Sequence, residues 1–406
     1  MTRIGFAYNQ KPEQDAPLLD KATAHSGSVE DGELDRLDEE PPSKIDEYAE
    51  WDSIATIDAV ANALSPLGEV IRLEADENFP ELLRATNPDI VFNIAEGKNG
   101  VNREAHVPAI CEFYGIPYSG SDPLTLSLCL DKARAKETLA YHGISTARFT
   151  VVRDASDLDR LVGALPFPLP LFAKPIHEGS SKGITEKNFC QTIDHLDEQV
   201  RFLLTTYQQP VIIEQYLPGA EFTCAVLGNG ATARVLPIVG MNFASLPEGA
   251  VPIYGYEAKW IWDRPENPLE MFDCPAKIDA NLASEIEHVT LDAYRILGCR
   301  DWSRIDVRLD AAGKPNIVEV NPLPGILPDP ADNSCFPKAA RAAGLSYDEL
   351  IQSCLKLAAE RQGVSLGRQL KKVRTASKSA SRPRVTRSRK LDGPAATDSV
   401  TNRLTA

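Results

Sequence analysis

Apolar and polar residues alternate at every second position in two adjoining stretches late in the chain. In Arg304-Ile-Asp-Val-Arg-Leu-Asp310, the residues Arg304, Asp306 and Arg308 alternate with Ile305, Val307 and Leu309. Further on, Glu319 and Asn321 alternate with Val318 and Val320. Period two is the signature of a strand, with residues two apart sharing a face. The intervening Ala311-Ala-Gly-Lys314 reads as a four-residue hairpin loop pairing Asp310 with Pro315. Antiparallel counting then sets Asp306 opposite Glu319 and Arg304 opposite Asn321. Like charges opposed on a sheet repel, so a cation belongs between the carboxylates. An all-oxygen set of this kind suits Mg²⁺, which holds few carboxylates and completes its shell with water and phosphate. A solvated face on an edge hairpin is the plain alternative.

Other stretches follow the same two periods. Residues 4–8, 70–73 and 89–93 are apolar strand runs. Residues 53–67 place Ile54, Ile57, Ala61 and Leu64 on one helical stripe, and 79–85 and 108–114 also read as helices. Strand and helix in alternation predict an open, largely parallel α/β sheet. No Gly-x-Gly-x-x-Gly follows a strand, which excludes a dinucleotide fingerprint. Residues 122–142 are mostly helical. Strands at 149–152, 171–175 and 211–217, with a helix at 193–205, form a second region. A third begins after Pro218-Gly219 with a strand at 221–227, a helix at 282–297, the hairpin, and a helix from 346 to about 361. The domains expected are an N-terminal α/β unit (1–120) with an acidic, flexible insertion at about 11–50, a central unit (121–218), a C-terminal unit (219–363) and a basic, disordered tail (364–406).

The chain has 406 residues, 43% hydrophobic and 25% charged, which is ordinary for a soluble globular protein. No apolar run is long enough to span a membrane, and residues 1–8 do not resemble a signal peptide. Eight cysteines without a Cys-x-x-Cys pair argue against zinc and disulfides and fit a cytoplasmic setting. The net charge of −15 is uneven: residues 367–406 hold eleven Lys or Arg against two Asp, a local +9 that leaves −24 elsewhere. Such a tail can touch nucleic acid or an acidic surface, or can simply solubilise the chain.

Lys174 lies mid-strand among apolar neighbours and needs an anion. Beyond it, Glu178-Gly-Ser-Ser-Lys-Gly183 is a pliable loop whose N–H groups can close over phosphate, although many surface turns are equally rich in Gly and Ser. Glu214-Gln-Tyr-Leu217 ends a strand at a hinge, where backbone groups can meet an adenine edge. Glu221 is near enough for a ribose hydroxyl, or is simply an exposed strand-start carboxylate.

Taken in order, these pieces resemble the ATP-grasp superfamily, most closely its D-alanine–D-alanine ligase branch. The resemblance covers roughly residues 89–360. It rests on Asp131-Lys132, Lys174-Pro175, Glu178-Gly-Ser-Ser-x-Gly183, Glu214 with Glu221-Phe-Thr223, Tyr256-Glu-Ala-Lys259, Arg304-Ile-Asp306 and Glu319-Val-Asn321-Pro-x-Pro-Gly325. It implies a three-domain α/β and α+β architecture and an ADP-forming carboxylate–amine ligase. Lys132 and Lys174 would contact ATP phosphates, and Glu214, Gln215, Tyr216, Leu217 and Glu221 would hold adenosine. Asp306, Glu319 and Asn321 would bind two Mg²⁺, or Mn²⁺ in their place. Arg304 and the Gly325 N–H would form the oxyanion site, Lys259 would steady the transferring phosphate, and Ser180 would lie beside the substrates. Those substrates would be a small carboxylate and a small amine such as amino acids, and relatives commonly form homodimers.

Four departures fall on the amino-acid side. Gly5-Phe-Ala-Tyr-Asn9 replaces the family's Gly-Gly-x-Ser-x-Glu motif, and Glu96-Gly97 stands for His-Gly. Trp260 replaces the lid tyrosine, and Pro322-Leu-Pro-Gly325 replaces Thr-Ser-Pro-Gly. A different acceptor, or a non-catalytic nucleotide-binding protein contacting partners through its tail, are the alternative readings.

Overall fold

The computed structural model describes residues 1–12, 48–255, 257–263 and 269–367, without the side chains of Lys259 and Trp260. The acidic insertion and the basic tail expected from the sequence therefore lie almost wholly outside the described residues. A single contact-connected unit runs from Met1 to Gln369.

The N-terminal sheet has the order β2-β1-β3 and is parallel throughout, with β1 (Arg3–Tyr8) between β2 (Glu69–Glu74) and β3 (Ile90–Asn93). Helices α1 (Ile54–Leu64), α2 (Phe79–Thr86) and α3 (His106–Tyr114) connect and flank it, as the alternation predicts. Ser53 caps α1 by accepting the Thr56 N–H. The helical span expected at 122–142 is broken in two, α4 (Pro123–Leu130) and α5 (Lys132–Tyr141). The break is Asp131, whose extended backbone ends one helix while its carboxylate accepts the Ala133 and Arg134 N–H groups of the next. Lys132 thereby becomes the first residue of a capped helix and is buried.

The central sheet has the order β4-β7-β5-β6, built from β4 (Phe149–Val152), β5 (Leu171–Pro175), β6 (Phe189–Cys190) and β7 (Val211–Gln215), all antiparallel. Helices α6 (Ala155–Val162) and α7 (Ile193–Tyr207) cover it. The short α6 is absent from the sequence expectation.

The C-terminal sheet follows the order β11-β10-β8-β12-β13, with β9 (Arg234–Val235) also on β8 (Glu221–Leu227). Its other strands are β10 (Val239–Met241), β11 (Phe272–Asp273), β12 (Trp302–Leu309) and β13 (Pro315–Asn321). Helix α8 (Ala280–Ile296) packs on one face. Helices α9 (Cys335–Ala342) and α10 (Tyr347–Gln362) close the chain back onto the N-terminal sheet. There Leu350, Ile351, Cys354 and Leu355 share one core with Ile4, Phe6, Ile57 and Phe92. Trp302 bridges the two sheets, its ring 5.9 Å from Phe92 and 5.6 Å from Phe336. Among the described residues no helix is long and apolar enough to cross a membrane.

One buried carboxylate ties the three ends of this core together. Asp301, at φ 65°, accepts from Arg361 at 2.8 Å, from the Gly120 N–H at 2.9 Å and from Asn229 at 2.8 Å. Removing it takes the counter-ion from a largely buried guanidinium and the acceptor from two further donors, a change that typically costs about 3–5 kcal/mol. Asp301→Ala should therefore lose about that much in urea unfolding. A loss under about 1 kcal/mol would show the network to be dispensable.

Candidate active site

The hairpin places its polar residues as counted at one end and differs at the other. Arg304 faces Asn321 and Asp306 faces Glu319. At the turn, Leu309 rather than Asp310 pairs with Pro315, and Asp310 instead accepts the Ala312 and Lys314 N–H groups from inside a five-residue loop. The pairing steps from Asp306–Glu319 to Val307–Ile317, so Val318 is the extra residue of a β-bulge. The bulge absorbs the slip and returns the carboxylates to opposition. Strand β13 ends the strand order, so the hairpin does lie at the sheet's edge, but Arg304, Asp306, Glu319 and Asn321 are only partly exposed, unlike the solvated face of the plain alternative.

Around that patch the charges are partnered. Asp306 accepts from Arg304 at 3.0 Å and from the Thr223 hydroxyl at 2.9 Å, and the Asn321 amide lies 3.5 Å from its Oδ2. Glu319 pairs with Lys132 at 2.8 Å. Burial raises the Glu319 carboxyl, but Lys132 and Lys174 outweigh it and hold the group below its ordinary range. Burial lowers the Arg304 guanidinium, and Asp306, Cys335 and Glu319 more than reverse this, so it stays charged. The Arg304 Nε is buried without a hydrogen-bond partner, an orphan donor of the kind an incoming oxyanion would satisfy. Gly325 has open space on its Cβ side.

Two carboxylates and one amide form a sparse donor set. Among the described residues no cluster of three or more His, Cys, Asp or Glu could hold a metal unaided. That sparseness fits Mg²⁺, which keeps water and substrate phosphate in its shell, and does not fit zinc. Turning the Asn321 amide presents its oxygen instead of its nitrogen to the same point.

Lys174 finds its anion in Glu214, at 2.8 Å, on the neighbouring strand β7. Glu214, expected on the adenosine side, is instead held between Lys174 and Lys136, the latter at 2.7 Å, and is only 5% exposed. Burial pushes this carboxyl up, but Lys136 and Lys174 together hold it down to about 2. The N–H groups of Gln215 and Tyr216 are taken by the Arg148 and Pro170 carbonyls, which leaves Leu217 and the segment's carbonyls as adenine-edge candidates. Glu221 pairs with Arg308 at 2.7 Å, and Arg308 also donates to the Tyr216 hydroxyl at 2.7 Å and stacks over its ring at 4.8 Å.

The Gly–Ser loop is bent sharply, with Ser180 at φ 47°, Ser181 at φ 63° and Gly183 at φ 69°. Left-handed serines carry strain, and strain of this kind gathers at ligand clamps. Ser180 is exposed. The loop is anchored by groups that the sequence pattern does not single out. Gly179 N–H donates to Glu50 at 2.9 Å, Arg103 bonds both oxygens of Glu50 at 2.8 and 2.9 Å, and Arg103 also donates to the His177 carbonyl at 2.9 Å. Lys182 pairs with Glu178 at 2.8 Å. Across from the loop, the Ser181 hydroxyl donates to the Tyr254 carbonyl and the Glu186 N–H to Glu257. Glu257 opens a π-helical segment, Glu257–Trp262. Lys259 and Trp260 belong to that segment, but their side chains lie outside the described ones.

The substitution at Glu96 now has surroundings. Gly97 must be glycine, because at φ 77° a Cβ would sit 2.4 Å from the Arg103 carbonyl oxygen. That close approach brings Glu96 toward Glu104, Glu50 and Arg103. Burial first, then the neighbouring carboxylates, raises Glu96 well above its ordinary range. Glu104 rises to about 8 by burial and the Glu50 charge, against Arg103 and Lys132. Glu50, Arg103 and Lys136 left no local signal in the sequence; only the fold gathers them.

The family model described as "D-ala D-ala ligase C-terminus" matches residues 139–356. The D-alanine–D-alanine ligase of Cupriavidus pinatubonensis is 34% identical over 276 residues, covering 68% of this chain and 77% of that protein. This chain belongs to the D-alanine–D-alanine ligase family. An uncharacterised protein of Sinorhizobium fredii is 33% identical over 320 residues, covering 77% of this chain and 89% of its own length. The fold of this family member is also that of the crystal structure of D-alanine–D-alanine ligase from Bacillus anthracis complexed with ATP, with a TM-score of 0.60, 22% identity and coverage of 89% and 99% of the two chains. The chain thus has the ATP-grasp architecture expected of it, mixed α/β with three sheets.

The acidic cluster makes a pH prediction. Glu104 has its folded value raised from 4.5 to about 8, so its contribution to stability is complete below 4.5 and is lost as pH rises through about 8. Glu104→Gln cannot ionise. Its melting temperature should fall less than that of the parent between pH 6 and pH 9, and parallel curves would exclude the assignment.

Proposed function

We propose that this protein is an ADP-forming, ATP-dependent carboxylate–amine ligase that works through an acyl phosphate. The observation that carries this reading is the meeting of Lys132, from the helix that enters the central region, with Glu319 on the C-terminal hairpin, 2.8 Å apart. Beside them lie Asp306, Asn321 and the orphan donor of Arg304. Without nucleotide, the lysines and carboxylates neutralise one another. Asp306, Glu319 and Asn321 would hold two Mg²⁺, or Mn²⁺, which would supply charge neutralisation for the phosphates. Lys132, now paired with Glu319, would contact phosphate. Lys174 would contact the α- and β-phosphates, while Leu217, with the Gln215 and Tyr216 carbonyls and Glu221, would receive adenosine.

A carboxylate is a poor electrophile, so the substrate carboxylate oxygen first attacks the γ-phosphorus and ADP leaves. The amine then attacks the acyl carbon, and inorganic phosphate departs through a tetrahedral oxyanion. Arg304 and the Gly325 N–H would stabilise that oxyanion. Phosphoryl transfer needs positioning and charge neutralisation more than covalent help, which suits a site made of lysines, carboxylates and one arginine. Lys259 would steady the transferring phosphate, Ser180 would border the substrates, and the strained Gly–Ser loop would shield the acyl phosphate from water.

The substrates we propose are small amino acids, with the acceptor set by the rewritten half around Glu96 and Glu104 rather than fixed as D-alanine. All eight cysteines are free, which accords with a cytoplasmic setting. Asp306→Ala and Glu319→Ala should each abolish ADP release across a panel of D- and L-amino acid pairs while circular dichroism shows the fold retained at the assay temperature. Full turnover in either variant would overturn the metal assignment. Titration of the parent with Mg-ATP, followed by no ADP from any pair, would favour a non-catalytic binding protein instead.

A further inference from the structure

The buried ion triad on the central sheet is asymmetric. Lys136 sits one helical turn after Lys132 on α5, so both ammonium groups leave the same face of the helix. Lys136 makes an ion pair with Glu214 at 2.7 Å, a hydrogen bond to the Thr146 hydroxyl at 2.6 Å and a longer one to the Ile317 carbonyl at 3.5 Å. Its three donors are all directed into protein, and two of its partners are tied to each other, since Thr146 Oγ1 donates to the same Ile317 carbonyl at 2.9 Å. Lys174, by contrast, makes a single ion pair among the described residues, to the other oxygen of Glu214 at 2.8 Å. One lysine is fixed and the other is held by one contact.

Glu214 is buried, so an uncompensated carboxylate there would be costly. If Lys174 were its only partner, any turn of that ammonium toward phosphate would strand the carboxylate. Lys136 removes this conflict. Two ammoniums around one carboxylate also leave one positive charge beside the place where a polyphosphate would lie.

Resting on the ligase reading above, we propose that Lys136 is a positioning residue for the polyphosphate of ATP: by holding Glu214 it frees Lys174 to donate to the α- and β-phosphates. Because Lys136 also reaches the Ile317 carbonyl, two residues before Glu319, the same ammonium fixes the nucleotide strand β7 relative to the metal strand β13. No group is transferred through Lys136, and it touches no reacting atom.

The test compares the full chain with Lys136→Met, Lys136→Arg and the double variant Lys136→Met/Glu214→Gln, titrating Mg-ATP, Mg-ADP and adenosine against each by calorimetry. Lys136→Met should weaken Mg-ATP and Mg-ADP by about 10-fold or more and adenosine by less than about 3-fold, and should raise the KM for ATP with kcat nearly unchanged. Lys136→Arg keeps the charge and should stay within about 3-fold of the parent. The double variant releases Lys174 from a lone carboxylate and should recover most of the Mg-ATP affinity lost in Lys136→Met. Should Lys136→Met fail to fold, the arginine and double variants carry the same test through their Mg-ATP affinities. Unchanged Mg-ATP affinity in Lys136→Met, or equal losses for ATP and adenosine without recovery in the double variant, overturns the proposal. A parent chain that binds no Mg-ATP overturns the ligase reading itself, a result separable from the first.

Discussion

A charged side chain buried in a protein interior must meet an opposite charge there, and in this protein the partners come from a distant element, a neighbouring strand or the same strand. Lys132 leaves a helix after the N-terminal region and finds Glu319 on the C-terminal hairpin. Lys174 and Lys136 converge on Glu214 in the central sheet, and Arg304 turns to Asp306 within its own strand. Buried pairs of this kind add little to stability over apolar replacements, because desolvation offsets most of the Coulomb gain. Their concentration at one place fits the proposed reading, in which metal ions would take the carboxylates and phosphates would take the lysines without leaving a buried charge alone.

Backbone geometry makes this exchange site possible. Asp131 breaks a helix and caps the next, which puts Lys132 at a buried helix start. The bulge at Val318 corrects a one-residue slip in the hairpin, so that Asp306 and Glu319 oppose each other. A shift of one residue in register would turn an entire strand's side chains to the other face and dissolve the patch. The Gly–Ser loop stores strain in two left-handed serines and is held down by Glu50 and Arg103, groups from the N-terminal region. The loop is thereby linked to the part of the chain that departs most from its family.

That departure has a physical character. Where relatives carry His-Gly, this chain has Glu96-Gly97, and the neighbourhood gathers Glu50, Glu96 and Glu104 around one guanidinium. Burial, and then repulsion among these carboxylates, raise Glu96 and Glu104, so the charge of this cluster depends on pH. The motif residues from Lys132 to Asn321, Trp260 apart, are those on which the family resemblance rests. On the proposed reading, one half of the site concerns the reaction and the other what is joined.

Strands at 149–152, 171–175 and 221–227 were legible to the residue, because uninterrupted apolar or alternating runs leave one way to bury their faces. The opposition of Asp306 and Glu319 was also legible, since period two fixes which side chains share a face once a hairpin is assumed. The helix break at Asp131, the short helices α6 and α9, and the bulge were not, because capping and register slips depend on neighbours distant in sequence. Glu50, Arg103 and Lys136 belong to no local pattern; each matters only because folding removes water from it and supplies a partner from another element. The sequence by itself determined the kinds of chemistry present, through residue types at fixed spacings. Tertiary structure alone decided which charges face one another, because that choice is made by burial and distance across the fold rather than by position along the chain.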